Sequence, residues 1–210
     1  MIKLFSHRGL VSQGIKQNSI ASLNNAYKSG FRAIEFDIWF LNNKLLLKHD
    51  KPKDGEILPE FKEFLLYKND LQYWLDFKNL DGSNAKSALL EVKKHLNANQ
   101  INMEKVYFAP FITDYIAAIE IFNIIRDVFG DVKIMAVCEK LEHENDLILL
   151  SKFLIQNQIK HLSIFHQLLN QRVCDILLGI EIFAWTVNDK NRFEELKKLG
   201  IKNFATDIIL

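Results

Sequence analysis

The chain has 210 residues, 49% of them hydrophobic, with 27 basic and 26 acidic side chains and a formal charge of +1. That length and apolar fraction predict one domain, residues 1–210, with an ample core. The balanced charge argues against nucleic acid as a partner, and no apolar run approaches the length of a membrane span.

Short runs rich in β-branched and aromatic residues alternate with longer stretches of helical period. The first strand is predicted over residues 2–6, followed by a helix over 19–29 with Ser19 as its cap and Gly30 just past its end. A strand over 33–38 is followed by an extra extended run, 44–48, which Asn42-Asn43 turns back as a hairpin. Helix 59–67 leads to strand 73–77, and helix 83–97, starting at Ser83, leads to strand 105–109. Helix 113–129, starting at Thr113, precedes strand 133–137, and helix 143–156 precedes strand 161–164. Helix 167–177 then leads to strand 182–186, and helix 189–199, capped by Asp189, to strand 203–205. Strand and helix alternating eight times predict an α/β fold, a (β/α)8 TIM barrel smaller than the usual roughly 250 residues. It has a short hairpin-like addition after the second strand and no closing C-terminal helix. Cys138 and Cys174 lack metal-ligand spacing and read as buried reduced thiols. With too little chain before the first polar motif for a secretory apolar region, the expected location is cytoplasmic.

Each chemically useful cluster falls at or just after the C-terminal end of a predicted strand, the face that carries active sites in this fold. His7-Arg8-Gly9 follows the first strand, Glu35-Phe36-Asp37 lies on the second, His49-Asp50 closes the extra run, and Asp76-Phe77-Lys78 ends the third. In a strand, residues two apart share a side, so Glu35 and Asp37 point together, and inside a barrel two bare carboxylates repel and lose hydration. A hard divalent cation such as Mg²⁺ or Ca²⁺ resolves that conflict, with Asp76 as the natural third ligand. Lys78 either binds a phosphate oxygen or forms a salt bridge to Asp76, while Arg8 offers a fork for phosphate and His7 a proton exchanger near neutral pH. Trp185, in Trp185-Thr186-Val187-Asn188, reads equally as a pocket wall or a rim aromatic, and Thr206-Asp207 ends the eighth strand. Glu139 stands at the corresponding place on the fifth strand without independent support, and His166 is a weak pocket candidate.

Together these strings resemble the glycerophosphodiester phosphodiesterase family, whose pattern runs through His-Arg-Gly, Glu-x-Asp, His-Asp, a third-strand carboxylate followed by Lys, then Trp-Thr-Val-Asn and Thr-Asp. The resemblance spans the chain. It implies a metal-dependent phosphodiester hydrolase of lipid metabolism with His7 and His49 as the acid and base pair. Glu35, Asp37 and Asp76 would hold Mg²⁺ or Ca²⁺, Arg8 and Lys78 the substrate phosphate, and Trp185 the pocket wall. The expected partner is a small-molecule phosphodiester. Alternatives are another phosphodiester hydrolase or cyclising lyase on the same barrel, or a barrel that binds a phosphorylated metabolite without turnover. The sequence departs from the pattern in three places. Gln17 stands where the family has Glu, Asp76 where it usually has Glu, and only residues 51–72 separate His49-Asp50 from the third strand, leaving little chain for a cover.

Overall fold

Nine strands form one sheet: β1 (Lys3–His7), β2 (Ala33–Leu41), β3 (Lys44–Leu47), β4 (Gln72–Phe77), β5 (Val106–Pro110), β6 (Lys133–Cys138), β7 (His161–Phe165), β8 (Glu181–Trp185) and β9 (Asn203–Thr206). The computed structural model describes the backbone of residues 1–210 and every side chain except that of Glu144. Eight strands are parallel and close into a ring, β1 pairing with both β2 and β9. β3 lies outside the ring, antiparallel on β2, as the short hairpin through Asn42 and Asn43. The fold is a small (β/α)8 barrel. Helices α1 (Ile20–Lys28), α2 (Ala85–Ala98), α3 (Tyr115–Phe129), α4 (Glu144–Gln156), α5 (Gln171–Ile176) and α6 (Lys190–Lys198) join the strands, and none follows β9 among the described residues.

Side-chain caps mark several helix starts. Ser19, Asp114, Asn170 and Asp189 each accept a hydrogen bond from a backbone N–H in the first turn. Four expectations need correcting. The second predicted helix, 59–67, is a 3₁₀ turn at Phe61–Leu65 with another at Lys68–Asp70. Residues 167–177 likewise divide into a 3₁₀ turn at His166–Leu168 and the short α5. Ser83 does not start α2, because its N–H donates to Asp81 Oδ1 in a turn and Asn84 is the cap residue, while Asp114 rather than Thr113 caps α3.

The interior alternates strictly along each strand. Phe5, Trp74, Tyr107, Met135 and Phe183 form an aromatic plug inside the ring, filled in by Ala33, Ala109 and Ala205. Phe5 meets Trp74 edge-on at 5.7 Å between ring centroids and Tyr107 meets Phe183 at 4.9 Å. Each such ring removed from water contributes about 1.5–3 kcal/mol, so the plug is a rigid floor. Two residues further along β1, β2 and β4, the same side of the pleat carries the polar groups of the site.

Candidate active site

The step of two from plug to site recurs around the ring. Phe5 leads to His7, Ala33 to Glu35 and then Asp37, Trp74 to Asp76, Phe183 to Trp185, and Ala205 to Asp207. The result is a cavity of about 280 Å³ at the C-terminal mouth, where His7, Arg8, Glu35, His49, Asp76, Lys78 and Trp185 all reach the lining. Small side chains from three other strands, Val137, Ser163 and Ala205, leave the space. Barrel register places Asp37 opposite Asp76 and Glu35 opposite Trp74. Oxygens of Glu35, Asp37 and Asp76 lie within 4.8 Å of one another. A larger hollow of about 620 Å³ opens at the opposite end of the barrel beside Arg126 and Lys133, and it holds no comparable carboxylate cluster among the described residues.

Asp37 is the electrostatic centre. It is fully buried, and its oxygens take Arg8 Nε at 2.9 Å, Lys78 Nζ at 2.8 Å and the Asn18 amide N–H at 2.7 Å. Burial opposes its charge, but the Lys78 and Arg8 cations outweigh burial and hold its pKa below the usual carboxylate value. Lys78 also pairs with Asp76 Oδ2 at 2.7 Å, so the salt-bridge reading of Lys78 is correct in this arrangement. Burial works against the ammonium, yet the surrounding carboxylates raise its pKa above the ordinary lysine value. Neither cation is exhausted. Arg8 Nε is ion-paired with Asp37 at 2.9 Å without a hydrogen bond and Nη1 donates to Gln17, leaving Nη2 free among the described residues, while Lys78 Nζ donates to Asp76 and is ion-paired with Asp37.

Glu35 and Asp76 carry the opposite signature. Burial, then the charges of Asp37 and Asp76, push the Glu35 carboxyl well above its usual range, and burial also raises Asp76. Asp76 Oδ1 is buried without a hydrogen-bond partner. A buried, unpaired carboxylate oxygen beside a second carboxyl disfavoured as an anion fits a hard cation, which prefers oxygen donors. The donor set of Glu35, Asp37 and Asp76 therefore suits Mg²⁺ or Ca²⁺ chemically, with Asp37 already partly neutralised by its two cations.

The histidines are each tethered at Nδ1. His7 Nδ1 lies 2.7 Å from Asp207 Oδ1, and Asp207 is braced by the Asn188 amide donating to Oδ2 at 2.7 Å. Burial opposes ionisation of Asp207, but its bond to His7 prevails and lowers its pKa, so an acceptor-only carboxylate fixes the proton on Nδ1. The other nitrogen, Nε2, points toward Glu35 Oε2 at 3.8 Å. His49 Nδ1 meets Asp50 Oδ1 at 2.8 Å on a more exposed loop. Trp185 lines the cavity, with its ring N–H buried and unpartnered. His166 does not line it.

Asn18, Gln17 and Asp207 were not assigned specific partners by the sequence motifs. Asn18 both donates to Asp37 Oδ2 and accepts from the Asp37 backbone N–H at 3.2 Å, a two-point clamp. Gln17, which departs from the resembled pattern, accepts from Arg8 at 3.2 Å. Neutral Gln serves that contact as a carbonyl acceptor.

No family model matches the sequence, and no curated protein matches it significantly. Solved structures share its fold. A glycerophosphodiester phosphodiesterase from Parabacteroides distasonis is similar with a TM-score of 0.78 and 20% identity, covering 98% of this chain and 92% of that one. A phosphodiesterase from Oleispira antarctica, solved with its product sn-glycerol-3-phosphate, is similar at 0.78 and 16% identity, with the same coverage of 98% and 92%. A calcium-dependent phosphoinositol-specific phospholipase C from a Pseudomonas species is similar at 0.63 and 10% identity, covering 97% of this chain and 87% of that one. At these identities the likeness is one of fold.

Proposed function

We propose that this chain is a metal-dependent phosphodiester hydrolase acting on glycerophosphodiester-like substrates. The observation that carries the reading is the buried, unpartnered Asp76 Oδ1 in a three-carboxylate cluster, at the mouth of a barrel whose tethered histidine faces the same cavity. The structural likeness to named phosphodiesterases supports it as well.

The free Nη2 of Arg8 and the Lys78 ammonium bind the non-bridging phosphate oxygens while Asp37, itself clamped by Asn18, pairs with both cations. A divalent cation held by Glu35, Asp37 and Asp76 would supply Lewis-acid polarisation of the phosphoryl group. Asp207 and Asp50 fix the histidine protons on Nδ1, so proton transfer falls to Nε2 of His7 and of His49. One withdraws a proton from the attacking oxygen and the other protonates the departing alcohol. The attacking oxygen belongs to water or to a neighbouring substrate hydroxyl, in which case a cyclic phosphate forms.

The test is hydrolysis of glycerophosphodiesters by the wild type with and without a chelator, alongside His7→Ala and His49→Ala. Chelation should abolish turnover and added Mg²⁺ or Ca²⁺ restore it, and each variant should lose about 10²- to 10⁴-fold in kcat while folding normally. Full activity under chelation would exclude the metal role, and near-normal turnover in both variants would move the chemistry elsewhere.

A further inference from the structure

Phe111 lines the catalytic cavity from the loop after β5, and its ring lies across the Lys78 ammonium, with Nζ 4.9 Å from the ring centroid. Backbone bonds fix both partners. The Phe111 N–H donates at 2.9 Å to the carbonyl oxygen of Phe77, the residue before Lys78, and the Lys78 N–H donates at 2.9 Å to the carbonyl oxygen of Ile38. The Ile112 N–H closes a three-residue turn onto the Pro110 carbonyl oxygen at 2.9 Å. That turn sends Ile112 onto the main core and leaves Phe111 at the cavity.

Core packing does not account for this ring. Phe111 is half-buried, and among the described residues it joins neither apolar cluster. Elsewhere in the molecule, the rings that face a cation are those of Tyr27, Tyr107, Phe129 and Phe193, and each belongs to a core cluster or packs against one. Those rings are already placed by the burial of their apolar surface. Phe111 has no such anchor, so the contact that distinguishes its position is the one with Lys78.

The ammonium needs that contact. Its Nζ donates to Asp76 Oδ2 at 2.7 Å and pairs with Asp37 Oδ1 at 2.8 Å, on a side chain only 11% exposed. A lysine is a strongly hydrated point charge on a flexible stem, and an aromatic face both attracts it through the ring quadrupole and takes the place of water beside it. We infer that Phe111 is a positioning residue for the substrate phosphate, acting through Lys78, whose ammonium its ring holds at the cavity wall. This rests on the phosphodiesterase reading and adds to it the residue that sets the strength of one of its two cationic phosphate contacts.

The experiment replaces Phe111 by phenylalanines carrying one, two and three ring fluorines, which weaken the negative face with little change in shape. Calorimetry with inorganic phosphate gives Kd, and turnover of a glycerophosphodiester gives KM and kcat. The Kd should rise stepwise with each fluorine, to about five- to tenfold at three, and KM should follow while kcat stays within about twofold. The same series in a Lys78→Met background should be flat. A Kd indifferent to fluorine, a series equally steep without Lys78, or no phosphate binding to the wild type would overturn the inference and leave Phe111 as a space-filling ring. If phosphate binds but no diester is hydrolysed, the catalytic reading fails, while a Lys78-dependent fluorine series still supports the role of Phe111.

Discussion

Asp207 directly follows β9, 200 positions along the chain from the histidine it holds. Its two oxygens have separate duties, one on His7 Nδ1 and the other on the Asn188 amide, and its own N–H is fixed by Asn188 Oδ1 at 2.8 Å. In Asp207→Asn the amide oxygen can still accept from Nδ1, but the carboxylate charge beside the imidazole is gone. Turnover should fall roughly 10- to 10²-fold, less than for His7→Ala, with KM nearly unchanged because phosphate binding is untouched. A kcat equal to the wild type would show that Asp207 does not position His7 for the reaction. At this scale the sequence disclosed residues that converge through the period of one strand, such as Glu35 and Asp37. Those that meet across strands were visible as motifs but not as partners, because the His7 to Asp207 contact exists only once β1 and β9 close the ring. Asn18 falls in Lys16-Gln17-Asn18-Ser19, which resembles the family's Pro-Glu-Asn-Thr, but its role stayed unassigned because an amide after a turn is ordinary until Asp37 is seen beside it.

The turn after β1 is the element on which the site depends. Arg8 and Gly9 both adopt positive φ, 57° and 79°, which reverses the chain tightly enough for the Arg8 N–H to bond the Glu35 carbonyl oxygen while its side chain reaches Asp37. A Cβ on Gly9 would stand 2.4 Å from Ser22 Oγ and 2.7 Å from the Ser22 carbonyl carbon, in the first turn of α1. Gly14 also has φ of 79° but open space around it. Gly9→Ala should therefore destabilise by more than Gly14→Ala, about 2–3 kcal/mol against about 1 kcal/mol, read from denaturant midpoints at constant slope. Equal losses would mean that α1 does not press on the turn. All eight ring strands were legible from β-branched and aromatic runs, because parallel barrel strands are buried on both faces. Residues 59–67 were not, since the spacing of Phe61, Phe64 and Leu65 satisfies helical period and a 3₁₀ turn equally well. A segment so short gains little from helix propagation, and Lys68 at positive φ breaks it before a longer helix can form.

Across the whole molecule, residues 51–72 are committed to the outside of the barrel. Phe64 packs on Phe36 of β2 at 5.0 Å between centroids, Tyr67 stacks on Tyr27 of α1 at 3.7 Å, and Leu46 of β3 bridges to Glu60. This stretch fills the place that a helix takes after the other strands, and none of it reaches the cavity lining among the described residues. The mouth is therefore bounded by strand ends and short loops, with no added cover among the described residues. On the proposed phosphodiesterase reading, lost contacts reduce discrimination between alcohols but would spare phosphate binding by Arg8 and Lys78. Measured as kcat/KM over a panel of glycerol and non-glycerol diesters, with product analysis for cyclic phosphate, the same reading expects turnover of several polar diesters within roughly a 10³-fold range. A preference above roughly 10⁴-fold for one glycerol diester is the signature of buried polar groups matched to that alcohol. Finding it would mean that the open-mouth argument fails and that the loops close on substrate.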